Sequence, residues 1–282
     1  MKKESQIIKS IANQTILKPN KKVKRLSIKS TLPYVYAIVT LLVIWQIIAW
    51  FLPNFLLPDV VKVFQRFLSE VKDPAFLDSI QSSLIRLIIG YPLACLLGSL
   101  FGLLSGLSKG FKIYLKNVIS ILQSIPPITW IPFLVILFGF GDLPIIIVIT
   151  IASFFPMALA MINATENINR THLELAKVLG ANKKQLVTKV FLPETFPSFL
   201  TGAQVAFGNA WRSLVASEMV GGAAVGLGWS ISYAGEIADM EGVLLNIVVI
   251  GGIALILDHL VLEQLKRKFL RWRDLTGAGG SV

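Results

Sequence analysis

The residues able to do chemistry in this 282-residue chain are few and scattered. His172 and His259 are too isolated to share a zinc ion, and no His-Glu-x-x-His, Ser/His/Asp cluster or pair of catalytic carboxylates occurs. No catalytic residue and no metal site is therefore expected. The single Cys95 lies inside an apolar block, where it reads as a packing residue, and one cysteine cannot form an intrachain disulfide. The run Gly221-Gly222-Ala223-Ala224-Val225-Gly226-Leu227-Gly228 lacks the Gly-Lys-Ser/Thr ending that cradles phosphates, so no cofactor is expected in this chain. What remains is a set of polar groups embedded in apolar sequence: Gln123, Ser124 and Thr129 around Pro126 and Pro127, then Arg212 and Glu218. Prolines there, and Pro132 and Pro156 beyond, each remove a helical hydrogen bond and free the carbonyl four residues earlier, as at Leu122, Gln123 and Ala152. Such breaks either line a polar pathway or are structural kinks. An arginine within an apolar helix costs roughly 2.5–3.5 kcal/mol on insertion scales, so Arg212 should face a bundle interior or a wet cavity. There it could attract a small anion. Pairing with an acid such as Glu218, or snorkelling, is the structural alternative.

The elements that must position these groups are long apolar helices. Hydrophobic residues make up 54% of the chain and charged ones 15%, with a mean hydropathy of +0.70. The apolar residues come in blocks of about twenty, the length that crosses a roughly 30 Å hydrocarbon core. Six blocks read as spans: Tyr34–Leu52, Ser82–Leu107, Ile113–Phe138, Pro144–Asn163, Ser198–Met219 and Val243–Leu262. The net charge of +11 does not indicate a nucleic-acid partner, because basic residues gather in the tails and alternate loops: 22 on one side against three on the other. Both termini are thereby assigned to the cytoplasm, which an even number of crossings satisfies. The expected fold is all-α integral membrane, with a basic tail over 1–31, a six-helix domain over 32–265 and a second basic tail over 266–282.

Three further patterns organise the blocks. Gly98, Gly102 and Gly106 make a small-residue ridge that lets helix backbones approach closely in lipid. Val60, Val63, Phe64, Phe67, Leu68 and Val71 recur at helical spacing after Pro58-Asp59, as in an amphipathic helix packed on the outer rim. The outer segment Glu218–Glu241 holds Glu218, Glu236, Asp239 and Glu241 without a basic residue, reflecting either the charge bias or a basic partner.

The loop over 164–197 carries the most information. It reads as helix, break, helix, with one apolar stripe through Leu173, Ala176 and Leu179 and another through Leu186, Val187 and Val190. Gly180 suits a left-handed C-cap, and Pro193 and Pro197 are expected to end the second piece and begin the next span. Apolar stripes on a loop outside the bilayer form a docking surface.

This segment resembles the cytoplasmic motif of permeases from binding-protein-dependent ABC importers: Glu-Ala-Ala, three residues, Gly, nine residues, Ile-x-Leu-Pro. Here it reads Glu174-Leu175-Ala176, Gly180, then Val190-Phe191-Leu192-Pro193, with the spacing kept and Leu175 and Val190 as apolar departures. Leu57-Pro58, Ser83-Leu84-Ile85-Arg86 with Gly90, Ile125-Pro126, Phe138-Gly139, Ala216-Ser217-Glu218 before Gly226-Leu227-Gly228, and Asp258 with Trp272 resemble the nitrate, sulfonate, taurine and bicarbonate branch. The resemblance implies a MetI-like permease fold that is not itself an enzyme. It also implies a coupling helix in which Glu174, Leu175, Ala176, Gly180, Leu192 and Pro193 meet a separate ATPase dimer holding ATP and Mg. A second permease copy, an extracytoplasmic solute-binding protein and a bacterial inner-membrane location follow from the same resemblance. The function implied is ATP-driven uptake of a small anionic solute by alternating access. A gradient-driven transporter or channel would need no ATPase and would leave the motif unexplained.

Overall fold

A computed structural model describes residues 28–264, and every described element is helical. The basic tails up to residue 27 and from 265, with Trp272, lie outside the described residues. Two compact units divide the chain. The first, Met1–Phe51, contributes helix α1, Ile28–Phe51. The second, Leu52–Val282, contains everything below.

Helix α2 (Val60–Glu70) is the expected amphipathic helix, with Val63 buried and Val61, Phe64 and Leu68 exposed. Helix α3 (Pro74–Ser105) starts at a proline, with Asp73 accepting a hydrogen bond from Ala75 N at 3.0 Å. Helix α4 (Lys109–Gln123) is capped by the Ser108 hydroxyl. A 3₁₀ turn, Pro127–Trp130, leads into α5 (Ile131–Phe138). Then come α6 (Asp142–Glu166), α7 (Arg170–Val178), α8 (Lys183–Leu186), a π-helical turn over Val187–Phe191, and α9 (Leu192–Met219). Helix α10 (Leu227–Glu236) and α11 (Met240–Leu255) follow, α11 running on in π geometry through Ile256–Glu263.

The core is α6 held between α3 and α9. The glycine ridge of α3 decides the first contact. A Cβ at Gly98 would stand 2.9 Å from Met157 Cβ, and one at Gly102 would strike Met161 Cβ and approach the Ala158 carbonyl oxygen at 3.0 Å. Gly90 and the fully buried Ala94 extend the ridge by two turns of four residues. On the other side a Cβ at Gly202 of α9 would lie 2.5 Å from Ala160 Cβ. Backbones this close gain dispersion contacts where lipid supplies no hydrophobic drive. Tyr91 closes the triangle by donating to the Ala203 carbonyl at 2.9 Å.

Three described helices are long and apolar enough to cross a bilayer: Pro74–Ser105, Asp142–Glu166 and Met240–His259. The block read as one span, Ile113–Phe138, is instead two helices, Lys109–Gln123 and Pro127–Phe138, bent by 80°. The cause is the Pro126-Pro127 pair, which supplies no backbone N–H at the junction. If that pair is one broken span, the number rises to four. Pro156 has no such effect, since α6 runs through it unbroken. Helix α9, 28 residues and about 42 Å long, has the length of a span but carries Glu194, Arg212, Glu218 and a polar stripe.

The junction before α9 also differs from the sequence expectation. Pro193 and Pro197 do not interrupt the chain. The turn over Val187–Phe191 widens to π geometry and the helix continues through both prolines to Met219. A π turn shifts the carbonyl that the Pro193 ring would otherwise meet.

Candidate functional site

The coupling segment is built from its caps. Asn169 accepts from Thr171 N at 2.9 Å and opens α7. At the far end Gly180 has φ +76°, its N–H donates to the Lys177 carbonyl at 2.9 Å, and Ala181 N–H donates to the Ala176 carbonyl at 3.0 Å. Those paired bonds form a Schellman cap, which a left-handed glycine permits. A Cβ on Gly180 would meet nothing within 4 Å, so a side chain here would project from the loop's surface. Glu174 is exposed. Of the stripe read from the sequence, Leu173 and Ala176 are half-buried and Leu179 is exposed; the exposed apolar residues are Leu175, Val178 and Leu179, at 57%, 84% and 77%. Positions 175, 178 and 179 are themselves helical neighbours, so this second stripe was visible in the spacing. Leu192 and Pro193 are exposed in the first turn of α9.

Glu194 joins α7 to α9. Its carboxylate accepts from the Asn169 N–H at 3.2 Å and pairs with His172 Nδ1. Phe191, one turn earlier, lies against Gly106, which caps the C-terminal end of α3. On the neighbouring helices, Lys112 and Lys116 of α4 bind Glu166 at the end of α6, at 3.4 and 2.9 Å.

The polar residues singled out for a pathway separate into three places. Gln123 lines a cleft of about 510 Å³ with Asn163 of α6 and Ser198 and Thr201 of α9. Ser124 lies beside it in a smaller cleft that Gln123 also lines, and its hydroxyl donates to the Ser120 carbonyl at 2.9 Å. The exposed Thr129 donates its hydroxyl to the Pro126 carbonyl at 2.7 Å and so secures the Pro126-Pro127 turn. Arg212 lines an adjoining cleft of about 480 Å³ between α9 and α11, and Thr201 and Val205 belong to both. The exposed face of α9 thus runs through Ser198, Thr201, Val205, Asn209 and Arg212, one continuous stripe at helical spacing.

Glu218 is elsewhere. It is fully buried and does not pair with Arg212. Its partner is Arg86 of α3, whose Nη1 donates to it at 2.5 Å and to the Val225 carbonyl at 2.8 Å, while Nε donates to Asp142 at 2.7 Å. Ser83 donates to Glu218 at 2.8 Å and accepts from Leu227 N at 2.9 Å, and Gly228 N donates to Glu218 at 2.9 Å. Gly226, at φ +148°, must be glycine, because a Cβ would lie 2.5 Å from the Glu218 carboxyl carbon. Nearly every polar atom of the buried pair is satisfied, the condition under which such a pair is tolerated. Two separate sequence signals, Ser83 to Arg86 and Glu218 to Gly228, are therefore one structural clamp. Asp239 is likewise paired, with Arg66 at 3.0 Å, so the presumed acidic patch reduces to Glu236 and Glu241. Hydrogen bonding to Glu70, then the charge of Asp239, holds the Arg66 guanidinium above its ordinary pKa.

Long apolar helices around a small-residue core define a membrane-embedded, all-helical protein. The chain belongs to the family of binding-protein-dependent transport system inner membrane components, whose family model matches residues 90–270. It is 32% identical to an ABC transporter permease protein of Methanocaldococcus jannaschii, over 89% of this chain and 94% of that one. It is 31% identical to the taurine transport system permease protein of Escherichia coli, over 82% and 86% of the two chains. Identity with the nitrate import permease protein of Synechococcus elongatus is 32%, over 85% and 90%. Two solved structures share the fold: an amino acid ABC transporter (TM-score 0.56, 19% identity, covering 73% of this chain and 97% of that one) and the MetNI methionine ABC transporter (0.55, 22%, 71% and 98%). Membership of a binding-protein-dependent transport family decides against a gradient-driven secondary transporter or channel, and the family is a transport component and not an enzyme.

Proposed function

We propose that the chain is the transmembrane subunit of an ATP-driven importer for a small charged solute of the taurine, sulfonate or nitrate kind. Two copies pair, six helices from each cross the bacterial inner membrane, and both termini are cytoplasmic. Residues 32–265 form the permease domain between basic tails over 1–31 and 266–282. The loop over 164–197 faces the cytoplasm, where an ATPase dimer binding ATP and Mg docks on it through Glu174, Leu175, Gly180 and the exposed Val178 and Leu179. An extracytoplasmic binding protein delivers solute to the opposite face. Solute passes along the open stripe of α9, with Gln123, Ser124 and Arg212 beside it, while Thr129 and Glu218 support the walls. The names of the relatives support the solute class.

The observation that carries this reading is the capped, exposed helix α7 with no partner for Leu175, Val178 and Leu179 among the described residues, in a chain of an importer family. The test is purification from the native cell in mild detergent, wild type beside Gly180→Trp. The expected result is an ATPase recovered with wild type and lost from the variant. Equal recovery from both would remove α7 from the docking site, and no ATPase with wild type would remove the ATP-driven mechanism.

A further inference from the structure

The cleft between α9 and α11 holds two opposite charges that do not meet. Arg212 and Asp258 both line it, and the side chain of Arg212 has no hydrogen-bond or ion-pair partner among the described residues. Asp258, in the π-helical extension of α11, accepts from Gln204 Nε2 at 3.1 Å through one carboxylate oxygen. Gln204, Gly208 and Arg212 succeed one another every four residues and form a single ridge of α9 toward this cleft. The guanidinium folds back along that ridge: its Nη2 is 3.6 Å from where a Gly208 Cβ would be. The cation therefore sits at the level of residue 208, and the carboxylate is anchored to residue 204. One helical turn, about 6 Å of axial rise, separates those levels, and Gly208, at the level of the cation, puts no side chain into the cleft.

Two uncompensated charges of opposite sign in one cleft cannot be explained by an anion alone, since Asp258 would repel it. A ligand with both charges satisfies both walls. We infer that the cleft is a binding site for a small zwitterion, its anionic end on Arg212 and its ammonium end on the free oxygen of Asp258. A two-carbon aminosulfonate such as taurine carries both charges on a short chain and is small enough for a cleft of about 480 Å³. This inference rests on the importer reading above and narrows its solute class: nitrate, bicarbonate and simple sulfonates supply only one of the two contacts.

The experiment is equilibrium binding of radiolabelled taurine to the permease purified with its ATPase in lipid nanodiscs. Ethanesulfonate, ethylamine and nitrate serve as competitors. Each lacks one charged contact, so each should compete at least about tenfold more weakly than taurine. Asp258→Asn keeps an oxygen for Gln204 and should preserve the fold. It should bring taurine down to the affinity of ethanesulfonate, and Arg212→Gln should lower both. If ethanesulfonate or nitrate binds wild type as well as taurine, or Asp258→Asn leaves the ratio unchanged, the zwitterion site is overturned, and so it is if none of the four binds saturably. In all three cases, recovery of the ATPase with the permease leaves the importer reading standing.

Discussion

Helix α9 has two faces made of similar residues put to different uses. On the closed face, Gly202, Ala206, Ala210, Leu214 and Ser217 lie buried, and Glu218 ends the row with its charge matched by Arg86 and capped by Ser83 and Gly228. On the open face, Ser198, Thr201, Val205, Asn209 and Arg212 line clefts, and Arg212 has no matching acid. Both faces carry one strong charge, yet only one of those charges is consumed by the fold. A charge that is buried and fully bonded makes architecture. A charge that the fold leaves without a partner is available to a solute. That contrast separates Arg86 from Arg212 better than depth in the membrane does.

The comparison predicts a graded series. Glu218→Ala should do most harm, because it leaves Arg86 buried with its main partner gone, at a cost of about 3–5 kcal/mol. The expected readout is loss of a monodisperse peak in detergent; a folded variant of wild-type melting temperature would break the contrast. Gly102→Leu should come next, since the side chain must displace Met161 and the α6 backbone, and overpacking costs about 1–3 kcal/mol. A thermal melt of the purified permease should show it. Arg66→Ala removes a partly exposed link to Glu70 and Asp239, and such pairs contribute about 0–1 kcal/mol, so the melt should barely move. Arg212→Gln should be smallest on the stability scale, within about 0.5 kcal/mol of wild type, while ATP-dependent uptake in vesicles is lost. Normal uptake by that variant would remove Arg212 from the pathway.

What the sequence revealed was whatever depends on local spacing. Gly180 as a left-handed cap, the amphipathic α2 and the close-packing ridge at Gly98 and Gly102 all follow from residues within a few turns of one another. The Arg86–Glu218 clamp could not be read that way, because its two halves lie far apart in sequence and neither residue names its partner. The prolines at 193 and 197 misled for another reason. Their local rule is to stop helices; a π turn over Val187–Phe191 carries the chain past Pro193, and Pro197 sits inside α9 with nothing in the π turn to account for it. The stripe read through Leu173, Ala176 and Leu179 is exposed only at Leu179, because α7 is apolar in two directions and only packing decides that Leu175 and Val178 turn outward with it.

The most direct test of the two-faced helix is the water accessibility of single cysteines placed on each face, in a Cys95→Ser background, with the permease and its ATPase in vesicles. Thr201→Cys and Val205→Cys on the open face should react with a membrane-impermeant thiol reagent, and the rate should change when a non-hydrolysable ATP analogue is added. Ala206→Cys and Ser217→Cys on the closed face should stay unreactive in both states. If the open-face cysteines react only with lipid-soluble reagents, or if both faces label alike, α9 does not line an aqueous path and the account is wrong.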